Sequence, residues 1–506
     1  MAPNSAMLSA ECLRLYFAKG NAHDVPIIYV PHRGWFVYDL YWRQQGEEKL
    51  GLIQIPQTKF PRCVSDCLSL ATRQNIFKQS RRGQAHPRRK FLHELEIALS
   101  NAKQLQELIR EARLYFVHNG PMDSNPMLLQ LSNATVDLET NTIRRSRPGD
   151  YLSKISTVSV PEYALEGSNT DEPDDARSNR EWAYAFLWSI FAPTVGMEPH
   201  RYDYHHIVGR QDEENFTFSL QLIARLLEGR PLKRAVYFFS PRGRNSKRPI
   251  EIILSNLLGS YAAQCKHSIF TNDKRGGEAN SAISLSRRGA RVLLGQEIDR
   301  SNPWCNAVYK RRADCGKEGG ARKNSNYFEE YDPVYTICFG ANVPPSFLRV
   351  PGNSEVDRCL IVYLPNRFCG EVDLFREPLS PRRFRKLDIE GTVARPEIAW
   401  AILDILLHLR RAEPDLDAKL SIGAPTSRLW REIWFPDAAR LYRESRLREV
   451  EKGVVRLHEC VDDFREWCES NLQSAFDYSR APPDCVRGLL QRELGNATTR
   501  KKPTRC

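Results

Sequence analysis

The chain has no apolar run approaching the roughly 20 residues that a membrane-spanning helix needs. Its N-terminus lacks the charged-then-apolar pattern of a secretory signal. Thirteen cysteines are scattered without a repeated C-x-x-C. Cys63 and Cys67 have no second pair to complete a zinc site, so a structural zinc is not expected. Nor is there an internal repeat, which excludes solenoids and propellers. These absences point to an intracellular chain of a reducing compartment, with free thiols and no membrane partner.

What is present is a chain of 506 residues, 41% of them apolar, enough to fill cores in roughly two to four domains. The net charge of +12 favours a polyanionic partner; a solvated basic surface is the competing reading. Residues 8–17 have a helical pattern. Ile27 to Val30 and the aromatic run GWFVYDLYW (34–42) alternate as strands of a small antiparallel sheet, with the aromatics as core. Residues 65–115 read as helices, broken by a basic run from Lys78 to Lys90 that reads as a solvated loop. Short strands follow at Leu128-Leu129 and Val136 to Leu138. Residues 161–180 are acidic and polar, and 167–180 form the best linker candidate. Beyond it, helices at 182–187 and 216–227 precede strands at 235–239, 291–295, 334–340 and 359–364. That alternation predicts an α/β layer with a largely parallel sheet. Residues 371–480 read as helical, and 481–506 as a polar, basic tail.

The most informative stretch is AVYFFSPRGRNSKRPIEIILSNLLG, from Ala235 to Gly259. An apolar strand leads into a polar loop, then a lysine, then apolar residues at helical spacing. This is the layout of a phosphate-binding loop: a helix N-terminus presents unpaired N–H groups to an anion, and a lysine beside it reaches the outer phosphates. Against G-x-x-x-x-G-K-[ST], Ser246 replaces the glycine before the lysine, the first glycine is also missing, and Arg248 replaces the hydroxyl residue; Lys247 is kept. The alternative is an ordinary basic loop between a strand and a helix. Gly243, Arg244, Asn245, Ser246, Lys247 and Arg248 are the candidate nucleotide-binding residues.

Four further elements follow in order. Glu297 stands just past the apolar run RVLLG, where a carboxylate can hold magnesium or orient a water, and Asp299 is a second candidate. Asn342 ends the strand TICFGA, where an amide can position an attacking water. Asp357-Arg358 precede the strand CLIVYL, where a guanidinium can offset transition-state charge. Lys310, Lys317, Arg322 and Lys323 lie in a Gly-rich stretch suited to a nucleic-acid backbone. Each has a plainer reading: a strand cap, a turn, an ion pair, a solvated charge run.

With these motifs in order, the chain resembles the helicase part of the poxvirus-type primase–helicases, within superfamily 3. The resemblance spans roughly residues 11–475. It includes GWFVYDLYW, the segment from Met122 to Lys154 (with Asn125, Pro126, Asp137, Leu138, Thr140, Arg144, Asp150 and Tyr151), Arg244-Asn245, Leu258 to Tyr261, RVLLGQEID, Asn342, Asp357-Arg358 and the C-terminal run 441–470. It implies an AAA+-type P-loop ATPase core (181–370) behind an α+β helicase-associated region (1–166) and the linker (167–180). A helical C-terminal region (371–480) follows. It further implies ATP and Mg2+ as ligands and a homo-oligomeric ring, a hexamer by resemblance, on single-stranded or forked DNA. Lys247 would then hold the β/γ-phosphates, Glu297 the metal or water, Asn342 the water, and Arg358 a neighbour's nucleotide. The departures are the loop glycines, Arg248, Cys359 where a second arginine is usual, and GKEGGARK where Gly-Gly-Asp is usual. No room for a primase catalytic domain is expected. Arg248 weakens the expected magnesium dependence. The alternatives are a non-catalytic nucleic-acid-binding or ring-scaffold protein, and a decaying mobile-element copy.

Overall fold

The computed structural model describes residues 27–44, 113–114, 116–191, 214–239, 247–271, 285–295, 298, 302–321, 328–342, 345, 347–348, 353–364, 367–369, 382–384, 389–421, 439, 442–443, 445–449, 457–471, 490 and 501–503. The chain divides into two compact units. The first comprises residues 1–125, 133–135 and 145–155, and the second 126–132, 136–144 and 156–506.

In the first unit, β1 (Ile27–Val30), β2 (Gly34–Asp39) and β3 (Tyr41–Gln44) form an antiparallel sheet in that order. The aromatic run serves as core: Val30, Phe36 and Trp42 are buried together, with Tyr38, Met122 and Tyr151 against them. Trp42 also donates from Nε1 to the Pro148 carbonyl at 2.8 Å, satisfying its buried polar atom.

Three short strands follow in the chain, β4 (Leu128–Gln130), β5 (Thr135–Asp137) and β6 (Thr142–Arg144), which form one sheet. Helix α1 (Asp174–Phe191) starts inside the acidic stretch, where Asp174 and Asp175 suit the positive end of a helix. Glu172 pairs with Arg180 of this helix, and Arg180 reaches Asp404 at 2.9 Å. After α2 (Glu214–Leu226) the central layer begins: β7 (Ala235–Phe239), α3 (Lys247–Leu258), β8 (Ala262–Cys265) and β9 (Val292–Gly295). It continues with α4 (Asn306–Ala313), the hairpin β10 (Glu318–Ala321) and β11 (Phe328–Tyr331), β12 (Thr336–Ala341), α5 (Asn353–Val356) and β13 (Cys359–Tyr363). Helices α6 (Ile389–Val393), α7 (Pro396–Ala412), α8 (Leu416–Ser421) and α9 (Leu457–Asn471) follow.

The five-stranded sheet has the order β13-β7-β12-β9-β8, and every pairing is parallel, so the fold is mixed α/β as expected. All five residues of β7 are buried, as a central parallel strand covered on both faces requires. Helix α3 turns Ile250, Ile253, Leu254, Leu257 and Leu258 inward. On α7, Arg410 meets the buried Glu228 at 2.6 Å, and Arg225 and Arg230 share the same carboxylate. Among the described residues no helix is long and apolar enough to cross a membrane.

The connections fix where a site can form. From β7 the chain crosses β12 and β9 to reach β8; from β12 it crosses β7 to reach β13. The two crossovers leave in opposite directions, so a crevice opens between the carboxyl ends of β7 and β12. That is where ligands bind in open α/β sheets.

Candidate functional site

Lys247 is the first residue of α3 and stands at this crevice. Its ammonium donates to Oδ1 of Asn342, the residue immediately after β12. The lysine stem lies across Gly340. A Cβ added at Gly340 would stand 3.4 Å from Lys247 Cβ and 3.5 Å from its Cδ, so any larger side chain crowds the lysine. On the next strand, a Cβ at Gly295 would run into the Phe339 ring.

The first turn of α3 contains no acidic residue. Helix N-termini favour carboxylates there, and here the positive end is matched by none of its own. Arg248 does not serve the crevice alone: its guanidinium pairs with Glu251, three residues further along the helix, at 2.8 Å, and is 61% exposed. The cleft between α3 and the sheet edge holds about 670 Å3. Ile250, Leu254, Leu294 and Cys338 line its apolar part; Lys247, Arg248, Lys266 and His267 line its polar part.

The structure separates the candidates by sheet edge. Arg358 directly precedes β13, whose Cys359 is in register with Ala235. It therefore sits at the amino edge, five strand residues from the crevice at about 3.3 Å each. It binds Asp314 through both oxygens, at 2.7 and 2.8 Å, and donates to the Ser354 carbonyl at 2.6 Å. Lys310 is also at that edge. The stretch read as a Gly-rich loop is in fact helix α4 followed by a strand, so Lys310 is helical and pairs with Glu355 at 3.4 Å. Burial raises the Glu355 carboxyl, but hydrogen bonds from Ser354 and Asn306 and the Lys310 charge overcome this and hold it below the usual range. Lys317 is exposed at the foot of β10. Gly243, Arg244, Asn245, Ser246, Glu297, Asp299, Arg322 and Lys323 lie outside the described residues.

Two groups escaped the sequence reading. Glu318, at the base of the β10–β11 hairpin, is buried; it accepts from Tyr331 at 2.9 Å and Tyr335 at 2.5 Å and pairs with Arg312. Lys266 and His267 follow β8, a strand too short and polar to be read from periodicity.

Residues 10–183 match the family model described as "D5 N terminal like". The match covers the N-terminal third of the chain. A curated relative, "Putative helicase 121R" of Invertebrate iridescent virus 3, is 23% identical over 171 residues. That match spans 34% of this chain and 15% of the viral protein's length. Among solved structures, the A form apo structure of the NrS-1 C terminal region aligns with a TM-score of 0.36 at 10% identity, covering 78% of this chain and 83% of that one. The A form structure of its residues 305–718 aligns at 0.32 with 12% identity, over 69% and 78%.

Proposed function

We propose that this chain is a helicase-type ATPase of the superfamily 3 kind, acting in viral or mobile-element DNA replication and binding ATP at the crevice beside Lys247. The observation that carries the reading is the Lys247–Asn342 pair. A lysine at the head of a helix, after the central strand of a parallel sheet, meets an amide from the neighbouring strand at the point where the crossovers diverge. In this reading Lys247 and the α3 N-terminus hold the outer phosphates of ATP. Asn342, already bonded to the lysine, orients the attacking water, with Glu297 as its base. The Lys247–Asn342 bond then opens or is shared when the phosphate enters.

Arg358 cannot act on the nucleotide of its own subunit, because it stands at the opposite sheet edge. Its role is in trans, on a neighbour's nucleotide in a homo-oligomeric ring, and it requires leaving Asp314. The β10–β11 hairpin, with Lys317 at its foot and Arg322-Lys323 in its connecting sequence, faces DNA backbone without reading sequence. The domain map read from the sequence accompanies this proposal: a helicase-associated region to 166, a linker, an ATPase core to 370 and a helical region to 480.

Arg248 replaces the hydroxyl that the motif offers to magnesium, so Glu297 and Asp299 would be the side chains to hold the metal, and its hold would be weak. A second reading, a ring scaffold that binds nucleic acid without turnover, is favoured by that same Arg248. The two separate in one assay: ATP binding and phosphate release by the full chain, with and without single-stranded DNA, against Lys247→Ala. DNA-stimulated release lost in the variant supports the ATPase. Background release in both, with DNA still bound, leaves the scaffold.

A further inference from the structure

Helix α4 ends in a turn that holds two other elements at once. Arg312 lies in its last turn and Asp314 is its C-cap. Positions two apart on a helix do not face each other, and these two side chains serve different partners. Asp314 takes the Arg358 guanidinium through both oxygens, at 2.7 and 2.8 Å. Arg312 pairs with Glu318, the first residue of β10. One turn before Asp314, Lys310 holds Glu355, whose carbonyl accepts from the Arg358 backbone N–H at 3.3 Å.

The connection from Asp314 to the hairpin is short and tied down. Cys315 follows in the left-handed region (φ 56°). Its N–H and that of Gly316 return to the carbonyls of Arg312 and Arg311, which closes the helix. Burial pushes the Cys315 thiol up to about 12, so it stays protonated and donates to the Tyr335 carbonyl at 3.2 Å. After Gly316 and Lys317 comes Glu318, which gathers the base of the hairpin. It accepts from Tyr331, its register partner on β11, at 2.9 Å, and from Tyr335 at 2.5 Å. The four residues of each strand then extend about 13 Å from this base, so a small rotation of the base is carried outward.

The two ion pairs differ in burial. Glu318 is 3% exposed and Asp314 is 40% exposed. An exposed pair opens at little cost, and a buried pair is costly to break. The Asp314–Arg358 pair is therefore the one that opens, while Arg312–Glu318 stays shut and transmits the change.

Resting on the reading of the hairpin as the DNA-facing element, we infer that the end of α4 couples Arg358 to DNA binding, with Asp314 and Arg312 as positioning residues. When closed, the Asp314–Arg358 pair fixes the end of α4, and Arg312 passes that order to the hairpin through Glu318. An anion that draws Arg358 off Asp314 loosens the hairpin's hold on DNA, and DNA on the hairpin keeps Arg358 on Asp314 to the same degree.

The test is the affinity of the full chain for labelled oligothymidylate, and its salt slope, for wild type, Arg358→Ala, Asp314→Ala, the double variant and Lys317→Ala. Arg358→Ala removes a positive charge and Asp314→Ala a negative one, so an influence through charge alone moves the affinity in opposite directions. Coupling through α4 moves it the same way. Each single variant is expected to bind at least threefold more weakly than wild type, and the double variant within twofold of either. The salt slope stays at the wild-type value in all three, because no phosphate contact is lost. Arg358→Gln and Asp314→Asn, which preserve side-chain size, give the same readout should an alanine variant melt early. Opposite changes, unchanged affinities or an altered salt slope overturn the coupling; if Lys317→Ala still weakens binding, the hairpin reading stands. No DNA binding by the wild type overturns both.

Discussion

At the amino edge of the central sheet, Arg358 is gripped by both oxygens of Asp314, Lys310 by Glu355 and Arg312 by Glu318. At the carboxyl edge, Lys247 meets a neutral amide, and the lining carboxylate is taken by Arg248. The residue types are the same on both edges, and in the sequence they look alike. The difference is in the partners. Cations at the amino edge are neutralised within the unit and fasten α4, α5 and the hairpin to the sheet. At the carboxyl edge, the lysine at the head of α3 meets an amide at the end of a neighbouring strand, beside a helix N-terminus of the kind that receives anions.

The largest expected effect lies at the amino edge. Glu318→Ala removes the acceptor of two tyrosines and leaves Arg312, largely buried, without its carboxylate. Breaking one side of a buried pair costs about 3–5 kcal/mol, so urea unfolding should show a midpoint well below wild type. An unchanged midpoint would show that this edge is not held by its ion pairs.

Lys247→Ala should do the reverse: little change in stability and at least a tenfold loss of ATP affinity, about 1.4 kcal/mol. Isothermal titration beside a melting curve reads both. A stability loss without an affinity loss would make Lys247 part of the scaffold and erase the distinction between the edges.

The Arg358–Asp314 pair is partly exposed, with side chains 28% and 40% accessible. A double-mutant cycle with Arg358→Ala and Asp314→Ala should give a coupling of about 1 kcal/mol or less. A coupling of several kcal/mol would mean that the pair is permanent, and Arg358 would then be unable to leave Asp314 for a neighbour.

On DNA, Lys317→Ala should lower the salt slope of single-stranded binding by about 0.7, the share of one neutralised phosphate. Lys310→Ala should change it little, because Glu355 already holds that ammonium. Equal effects would place both lysines on the DNA path.

The smallest effect is a pH dependence. The bond that the His408 imidazole donates to the Asp404 carboxylate raises the imidazole above its ordinary 6.5. Its stabilisation is thus complete below 6.5 and lost as pH rises through the raised value. Burial pushes the Asp404 carboxyl up, but bonds from His408 and Arg180 overcome this and hold it below its ordinary 3.8, so its share is lost only as pH falls through the lowered value. Stability measured from pH 4 to 9 should decline on the alkaline side, and His408→Ala should flatten that decline. A decline of the same size in the variant would assign it to other groups.

Much of the central layer was legible because its signals are local. The run Ala235 to Phe239 is continuous and apolar, α3 shows a helical period with Lys247 at its head, and Asn342 directly follows an apolar strand. What could not be read depends on distant pairing. Ala262–Cys265 is short, small and half-exposed, and it becomes a strand only by lying beside β9. The Gly319-Gly320 pair reads as a loop but forms one arm of a hairpin whose other arm begins at Phe328. Asp314 and Arg358 are 44 positions apart, and no local pattern joins them. The acidic stretch reads as linker throughout, yet Asp174 and Asp175 begin a helix whose stability comes from its apolar packing against α7.

The most direct test of the carboxyl edge as a nucleotide site is phosphate release by Ser246→Gly combined with Arg248→Ser. The pair restores the small backbone position and the hydroxyl that the motif requires, and frees Glu251 from Arg248. The expected result is ATP turnover that rises above the wild type and depends on magnesium, and that vanishes when Lys247→Ala is added. Release at background in the double variant and in the triple variant alike, with the circular dichroism of the wild type, would contradict it and leave the crevice without a catalytic role.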